Sequence, residues 1–403
     1  MLTILFTFFV WAVFFLFVVF LRLKLNLSLL IIGALLYIIP AFYLPVISDV
    51  GLFETVGIKI LERTDFYVFD GINHGTYPFL PFMLWYYVIA HLLASATGLK
   101  FVVFVRMLMI LAVFACTLMM GKLLPKSEKS SRIQALFLLN PINLLVVSLH
   151  GQTDLFLIFF VLLSIWLNKK KHLEFFSGIA MGLSILTKTW SIIFVPLFLL
   201  GLKNISGIFK WIIGVVFAIL MFIAFYSRLL HSNTLLIFDS LRHAGGPTGQ
   251  WGLSGIATLF TFISANLTNA IIYAEKQSLL IICFGLLVGY IGNLIRKNTL
   301  LVSIVVLLLI FMFITPRWGI QYISWVLPFA AAAGFEKNMR SYSLLSLPYL
   351  SLSYMSIIYE NKQTHFALLN EIAIILGIVV WVYVIFWLKQ ILTSNNINKK
   401  SGQ

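Results

Sequence analysis

Long apolar stretches separated by short polar breaks dominate this chain. They can be marked at 2–21, 27–46, 79–98, 101–121, 133–149, 154–168, 174–187, 188–202, 205–227, 278–295, 299–315, 320–334, 343–359 and 367–391. Many match the ~20 residues that a helix needs to cross the ~30 Å hydrocarbon core of a bilayer. In that solvent each backbone amide must find its partner inside its own segment, so the runs read as helices. Two pairs, 133–149 with 154–168 and 174–187 with 188–202, consist of short runs joined by polar turns. A recessed turn must face water or protein, and two of them on one side predict a hydrated cavity.

Composition supports a membrane solvent. The chain is 61% hydrophobic and 10% charged, with mean hydropathy +1.04, whereas soluble domains are roughly half apolar and about a quarter charged. The predicted fold class is an all-α polytopic membrane protein. A net charge of +15 invites a nucleic-acid partner, but the positive residues form short clusters between apolar runs, as cytoplasmic loops do. Cys116 and Cys283 both fall within apolar runs and read as packing residues. The first run lacks a basic segment before it, and Arg22 and Lys24 follow it, which predicts a retained helix with its N-terminus outside.

Charge also orients the helices. If every run crossed, the basic linker 122–132 would share a face with segment 47–70, which carries Asp49, Glu54, Glu62, Asp65 and Asp70. The run 79–98 opens beside Pro78 and Pro81 and carries Trp85, Tyr86 and Tyr87, residues that favour the membrane–water interface. Laid along the outer surface, it removes the conflict. Linkers 22–26, 122–132, 169–173, 203–210, 296–298 and 336–342 and the tail 389–403 then all lie inside. The expectation is about thirteen transmembrane helices, with interfacial helices in the first of two long outer loops, 47–100 and 228–277. The predicted divisions are an extra N-terminal helix at 1–26, a catalytic core at 27–335, and C-terminal helices with a cytoplasmic tail at 336–403.

Four polar features stand out from this background. "HGQTD" sets His150, Gln152 and Asp154 in the first recessed turn, and Lys188 in "LTKTW" sits in the second. Ionisable groups at membrane depth are functional hypotheses by default. The plain alternatives are that Asp154 caps its helix and pairs with His150, and that Lys188 snorkels to the surface. Asp49 opens the first outer loop, where a solvated acid is ordinary. "TPRWGIQYISWVLPF" sets Arg317 beside Trp318, with Gln321 and Tyr322 one turn on. The arginine fork there matches a phosphate oxygen pair, and an interface anchor of Arg, Trp and Tyr is the alternative. The glycine-rich "RHAGGPTGQWG", which includes Arg242, reads either as a mobile flap over the acceptor or as a plain connection. The chain holds neither a P-loop nor a Rossmann glycine pattern, nor a spaced set of metal ligands.

In this order the pieces resemble the GT-C superfamily of membrane glycosyltransferases, which take sugars from polyprenyl-phosphate donors. Asp49 followed by "TYPFLPF" is similar to the family's early outer-loop acid and the start of its interfacial helices. "NPINLLVVSLHGQTD" looks like its "NP…HGQ.D" turn, and "GIAMGLSILTKTWSIIFVPLFLL" like its "G…K…P" helix pair. "GIQYISWVLPF" is similar to the "QY…W..P" element of bacterial polyprenol-phosphate-mannose-dependent transferases. The match runs over about residues 40–330, and helix 2–21 lies outside the shared core.

The resemblance implies transfer of a hexose, mannose or glucose, to a lipid-linked or cell-envelope glycan acceptor at the outer face of the plasma membrane, with inversion at the anomeric carbon. Asp49 would be the general base. Lys188, Arg317 and His150 or Arg242 would bind the leaving phosphate, while Gln152 and Asp154 would orient the sugar or hold the cavity wall. Gln321 and Tyr322 complete the substrate-binding set. The expected partners are the lipid-linked sugar donor, the acceptor glycan or glycolipid and the bilayer, with no cofactor and no metal. Rival readings are a lipid-linked polysaccharide ligase or polymerase, a lipid flippase or other transporter, and a non-catalytic envelope scaffold.

Overall fold

The computed structural model describes residues 2–68, 79–202, 204–241, 247–261, 264–359 and 366–393. Among them the chain is helical almost throughout, and the described residues contain a single isolated β-bridge, Thr248 with Arg317, outside any strand. Among the described residues six helices are long and apolar enough to cross a membrane: Leu2–Leu21, Phe101–Leu123, Glu128–His150, Ile205–Leu230, Ser278–Arg296 and Leu368–Thr393. Shorter apolar helices of 10–17 residues, including Asp154–Asn168, Glu174–Thr187 and Leu300–Ile314, lie between them.

Where these helices start is set by small polar side chains that occupy orphan amides. Asn26 accepts from the amide of Leu29 at 2.9 Å and opens Leu27–Tyr43. Ser127 accepts from Ser130 at 3.1 Å and starts Glu128–Leu138. That start makes the helix longer than its apolar run, because its first turn is polar. The same helix breaks at Asn140, since Pro141 brings no N–H. It resumes as Pro141–Leu144 and ends in the π-helical turn Leu145–His150.

The run 188–202 is also divided. Lys188 is extended (φ −151°, ψ 127°), and a 3₁₀ turn Thr189–Phe194 leads into the helix Val195–Gly201. The run 320–334 repeats this arrangement, with a 3₁₀ turn Ile320–Ser324 before the helix Val326–Ala332.

The chain forms two compact units. One comprises Met1–Lys24, Ser127–Leu145 and Gly245–Gln403, and the other Leu25–Lys126 and Val146–Ala244. In the second unit, Glu174–Thr187 crosses Ile205–Leu230 at glycines. A Cβ on Gly178 would lie 2.0 Å from the Trp211 carbonyl oxygen, and one on Gly182 would lie 2.8 Å from the Ala218 Cβ. Small residues four apart let helix backbones approach closely where no hydrophobic force separates helix from lipid. Ser177 also exchanges hydrogen bonds with Ser164 of Asp154–Asn168, and the Trp211 indole donates to Ser177 at 3.1 Å.

The described part of segment 47–100 contributes two helices to this unit, Ser48–Leu61 and Phe82–Thr97. They meet at Gly57, where a Cβ would lie 2.6 Å from the Tyr87 carbonyl oxygen, and the Phe53 and Tyr87 rings stack at 4.7 Å.

Candidate functional site

The polar turn after the π-helical stretch is built by backbone geometry. Gly151 adopts φ +78°, a left-handed conformation that a Cβ would strain, and the next helix starts at Asp154. Thr153 occupies the N-cap position without a side-chain cap bond, so Asp154 is the first helical residue and not the cap. Its carboxylate takes the Lys188 ammonium at 2.8 Å. Lys188 also donates to Gln152 Oε1 at 2.9 Å, and Gln152 Nε2 meets His150 Nε2 at 3.0 Å. Asp154 is 0% exposed, Gln152 3%, His150 4% and Lys188 5%.

A buried ion pair of this kind persists only where geometry and further hydrogen bonds offset desolvation. Both helices contribute here. Asp154 stands at a helix N-terminus, where the dipole favours an anion, and Lys188 follows a helix C-terminus, where it favours a cation. The glycine crossing described above fixes the helix that carries Lys188. The amide of Gln152 has a defined orientation, because only its oxygen can accept from the ammonium. Its NH₂ therefore faces His150 Nε2. Two of the three ammonium hydrogens have oxygen acceptors, and the Phe79 ring centroid lies 5.5 Å from Nζ.

Asp49 lies in the first turn of Ser48–Leu61, and its side chain is outside the described residues. Its neighbour Val50 is described and lies beside the polar turn: a Cβ on Gly151 would sit 3.6 Å from Val50 Cγ2. Arg106 joins these two segments. Wholly buried, it donates from Nη1 to the carbonyls of Ala41 and Leu44, at 2.9 and 3.1 Å. From Nη2 it reaches the carbonyls of Pro45 and Leu149, at 2.5 Å each. It thus satisfies orphan carbonyls at the end of Leu27–Tyr43 and ties the approach to Asp49 to the residue preceding His150. Arg106 was not among the residues singled out from the sequence. Its signal was there: a lone charge inside the apolar run 101–121.

Arg242 and the "TYP" of 76–78 lie outside the described residues. Arg317, Gln321 and Tyr322 belong to the other unit. There Arg317 pairs with Glu275 at 3.1 Å and holds the Glu275 carboxyl below its ordinary pKa. Residues 247–252 of the glycine-rich stretch are anchored. Thr248 bridges Arg317, the Trp318 amide donates to the Pro247 carbonyl at 2.9 Å, and Trp251 stacks on Trp318 at 3.8 Å with planes 4° apart. Tyr322 packs on Trp325 at 4.1 Å, and the Gln321 side chain lies over Gly319, where a Cβ would meet it at 2.8 Å.

Residues 76–318 match the family described as Glycosyltransferase family 87, a stretch of more than half of the 403 residues. The chain belongs to Glycosyltransferase family 87. No curated protein and no solved structure matches it. Family 87 is a membrane family of GT-C type, so the superfamily resemblance read from the sequence is correct at that level. Membership makes the protein a glycosyltransferase with a sugar donor and a glycan acceptor, and together with the apolar helices it makes it an integral membrane protein. The family 87 stretch contains the whole His150–Lys188 set and Arg317, and leaves Asp49, Gln321 and Tyr322 outside.

Proposed function

We propose that this family 87 protein moves a hexose, mannose or glucose, from a polyprenyl-phosphate donor to a lipid-linked or cell-envelope glycan at the outer face of the plasma membrane. The observation that carries this reading is the approach of Gly151 to Val50. It sets the buried His150–Gln152–Lys188–Asp154 chain beside the segment that bears an acid. In the proposed reaction an acceptor hydroxyl attacks the anomeric carbon and gives its proton to the Asp49 carboxylate. The bond from that carbon to the phosphate oxygen breaks with inversion, and the electron pair leaves on polyprenyl phosphate.

Lys188, held in place by Asp154 and Gln152, directs its remaining N–H to a phosphate oxygen. A donor fixed before the reaction stabilises charge that develops on the leaving group without reorganising. His150 contacts the sugar or its phosphate and is oriented through Gln152. Arg242 and Arg317 are assigned to the leaving phosphate by their charge and the arginine fork, and Gln321 and Tyr322 to substrate binding by the family resemblance. We assign about thirteen crossings, with helix 2–21 outside the catalytic core 27–335 and a cytoplasmic C-terminal part, 336–403. A reporter fused in linker 122–132 reads cytoplasmic under this topology, and an external reading overturns it.

The deciding experiment incubates purified protein with a panel of polyprenyl-phosphate sugars and follows the released polyprenyl phosphate. Release with a hexosyl donor, lost in Asp49→Asn while that variant still inserts, is the expected result. Wild-type rates in Asp49→Asn remove Asp49 from the mechanism, and no release from any donor removes the donor class.

A further inference from the structure

Three basic linkers meet within the compact unit that does not contain His150, Asp154 and Lys188. A cleft of about 370 Å³ is lined by Arg22, Lys129, Arg132, Lys337 and Arg340, with Glu336 as the acid among its lining residues. Glu128, next to Lys129, is already paired with Lys24. The cleft therefore concentrates positive charge, and its volume lies within the range of small-ligand sites. We propose that it binds the phosphate headgroup of an anionic phospholipid.

Each lining cation sits where an apolar helix meets a polar segment. Arg22 follows Leu2–Phe20, Lys129 and Arg132 lie in the first turns of Glu128–His150, and Lys337 and Arg340 open Glu336–Tyr359 after the apolar helix Val326–Ala332. That is the level of lipid headgroups. The starts of Glu128–Leu138 and Glu336–Tyr359 add the partial positive charge of helix N-termini.

Arg22 also closes its helix through its backbone, as His231 and Lys297 close theirs. It is left-handed at φ +50°, at the end of Leu2–Phe20, with the Leu23 amide bonded to the Val18 carbonyl. Glycine is the ordinary residue at such a helix end, yet an arginine stands there. Phe20 and Leu21, next to it, are 75% and 63% exposed. A phosphate group bearing acyl chains matches cations and exposed hydrocarbon together, whereas free phosphate uses only the cations. Basic pockets between helix ends suit such headgroups. Under the orientation proposed above the lipid lies in the cytoplasmic leaflet, and the binding itself does not depend on Asp49 or on the donor.

The test is native mass spectrometry of the full chain in mild detergent, titrated separately with phosphatidylglycerol, phosphatidylcholine and inorganic phosphate. Retained phosphatidylglycerol and little phosphatidylcholine are expected. Arg132→Gln with Arg340→Gln should weaken phosphatidylglycerol binding about thirtyfold, and Arg22→Gly about fivefold. Arg22→Gly removes the charge while easing the turn, so it keeps the test sound should the double variant misfold. Equal retention of the two lipids, wild-type binding in Arg22→Gly, or saturation by inorganic phosphate without lipid preference each overturns the proposal.

Discussion

Lys188 with Asp154 and Arg317 with Glu275 are two of the ion pairs among the described residues, and their surroundings differ. Lys188 with Asp154 is sealed, with side chains 7% and 0% exposed, and lies within a chain of hydrogen bonds that reaches His150. Arg317 with Glu275 is open, at 32% and 42%, and beside it the stability comes from stacked tryptophans. The Trp251 indole donates to the Met312 carbonyl at 2.7 Å and the Trp318 indole to the Tyr349 hydroxyl at 2.9 Å, so both large rings are buried with their polar atoms satisfied. The same pairing of opposite charges therefore has different consequences. In the first turn, charge is part of the interior and must be matched. In the second, aromatic packing fixes the backbone and the ion pair is peripheral.

The largest expected effect is at the sealed pair. Lys188→Met leaves Asp154 buried without its cation and should cost about 3–5 kcal/mol, read as a fall in thermal stability together with loss of transfer. Adding Asp154→Leu should recover much of the stability and none of the activity. Full activity in the double variant would show that the pair is structural only.

A smaller loss is expected where the helix bearing Lys188 is fixed. Gly178→Ala forces the backbones apart at Trp211 and should cost about 1–3 kcal/mol, measured as a lowered Tm and reduced transfer. An unchanged Tm would mean that the crossing is looser than the 2.0 Å approach implies. At the aromatic turn, Trp251→Phe keeps a ring on Trp318 but orphans the Met312 carbonyl, a loss of about 1–2 kcal/mol. A shift as large as that of Lys188→Met would erase the contrast between the two regions.

The smallest effect belongs to the open pair. Glu275→Gln should change stability by less than about 1 kcal/mol. Its sign with pH follows from the lowered carboxyl pKa, caused first by the Arg317 hydrogen bond. The contribution is fully present above the unfolded carboxylate pKa and disappears as pH falls through the folded one. Wild type and Glu275→Gln should therefore converge in acid, and a gap that widens there would reverse the assignment.

Much of this was legible along the chain. Apolar runs located the helices because bilayer and core impose the same demand on backbone amides. His150, Gln152, Asp154 and Lys188 were visible as polar residues in breaks between runs. Their pairing was not. Asp154 reads as a cap that bonds its own helix, and only the packing of Glu174–Thr187 against Asp154–Asn168 brings a lysine 34 positions away to its carboxylate. Arg106 was passed over because a charge within an apolar run shows no partner in sequence, and its acceptors are backbone carbonyls, which every residue carries. The glycine-rich stretch at 242–252 left a flap and a plain connection equally open. In its described part, 247–252, Trp251 stacks on Trp318.

Hydropathy was by itself enough to predict an all-helical membrane protein, since that property depends on each segment's own solvent, and the order of short motifs carried the resemblance to the GT-C superfamily. Which polar groups meet depended on tertiary structure. Contact between distant segments is governed by where backbones can approach, here at glycines, and by which buried charge finds its counter-ion.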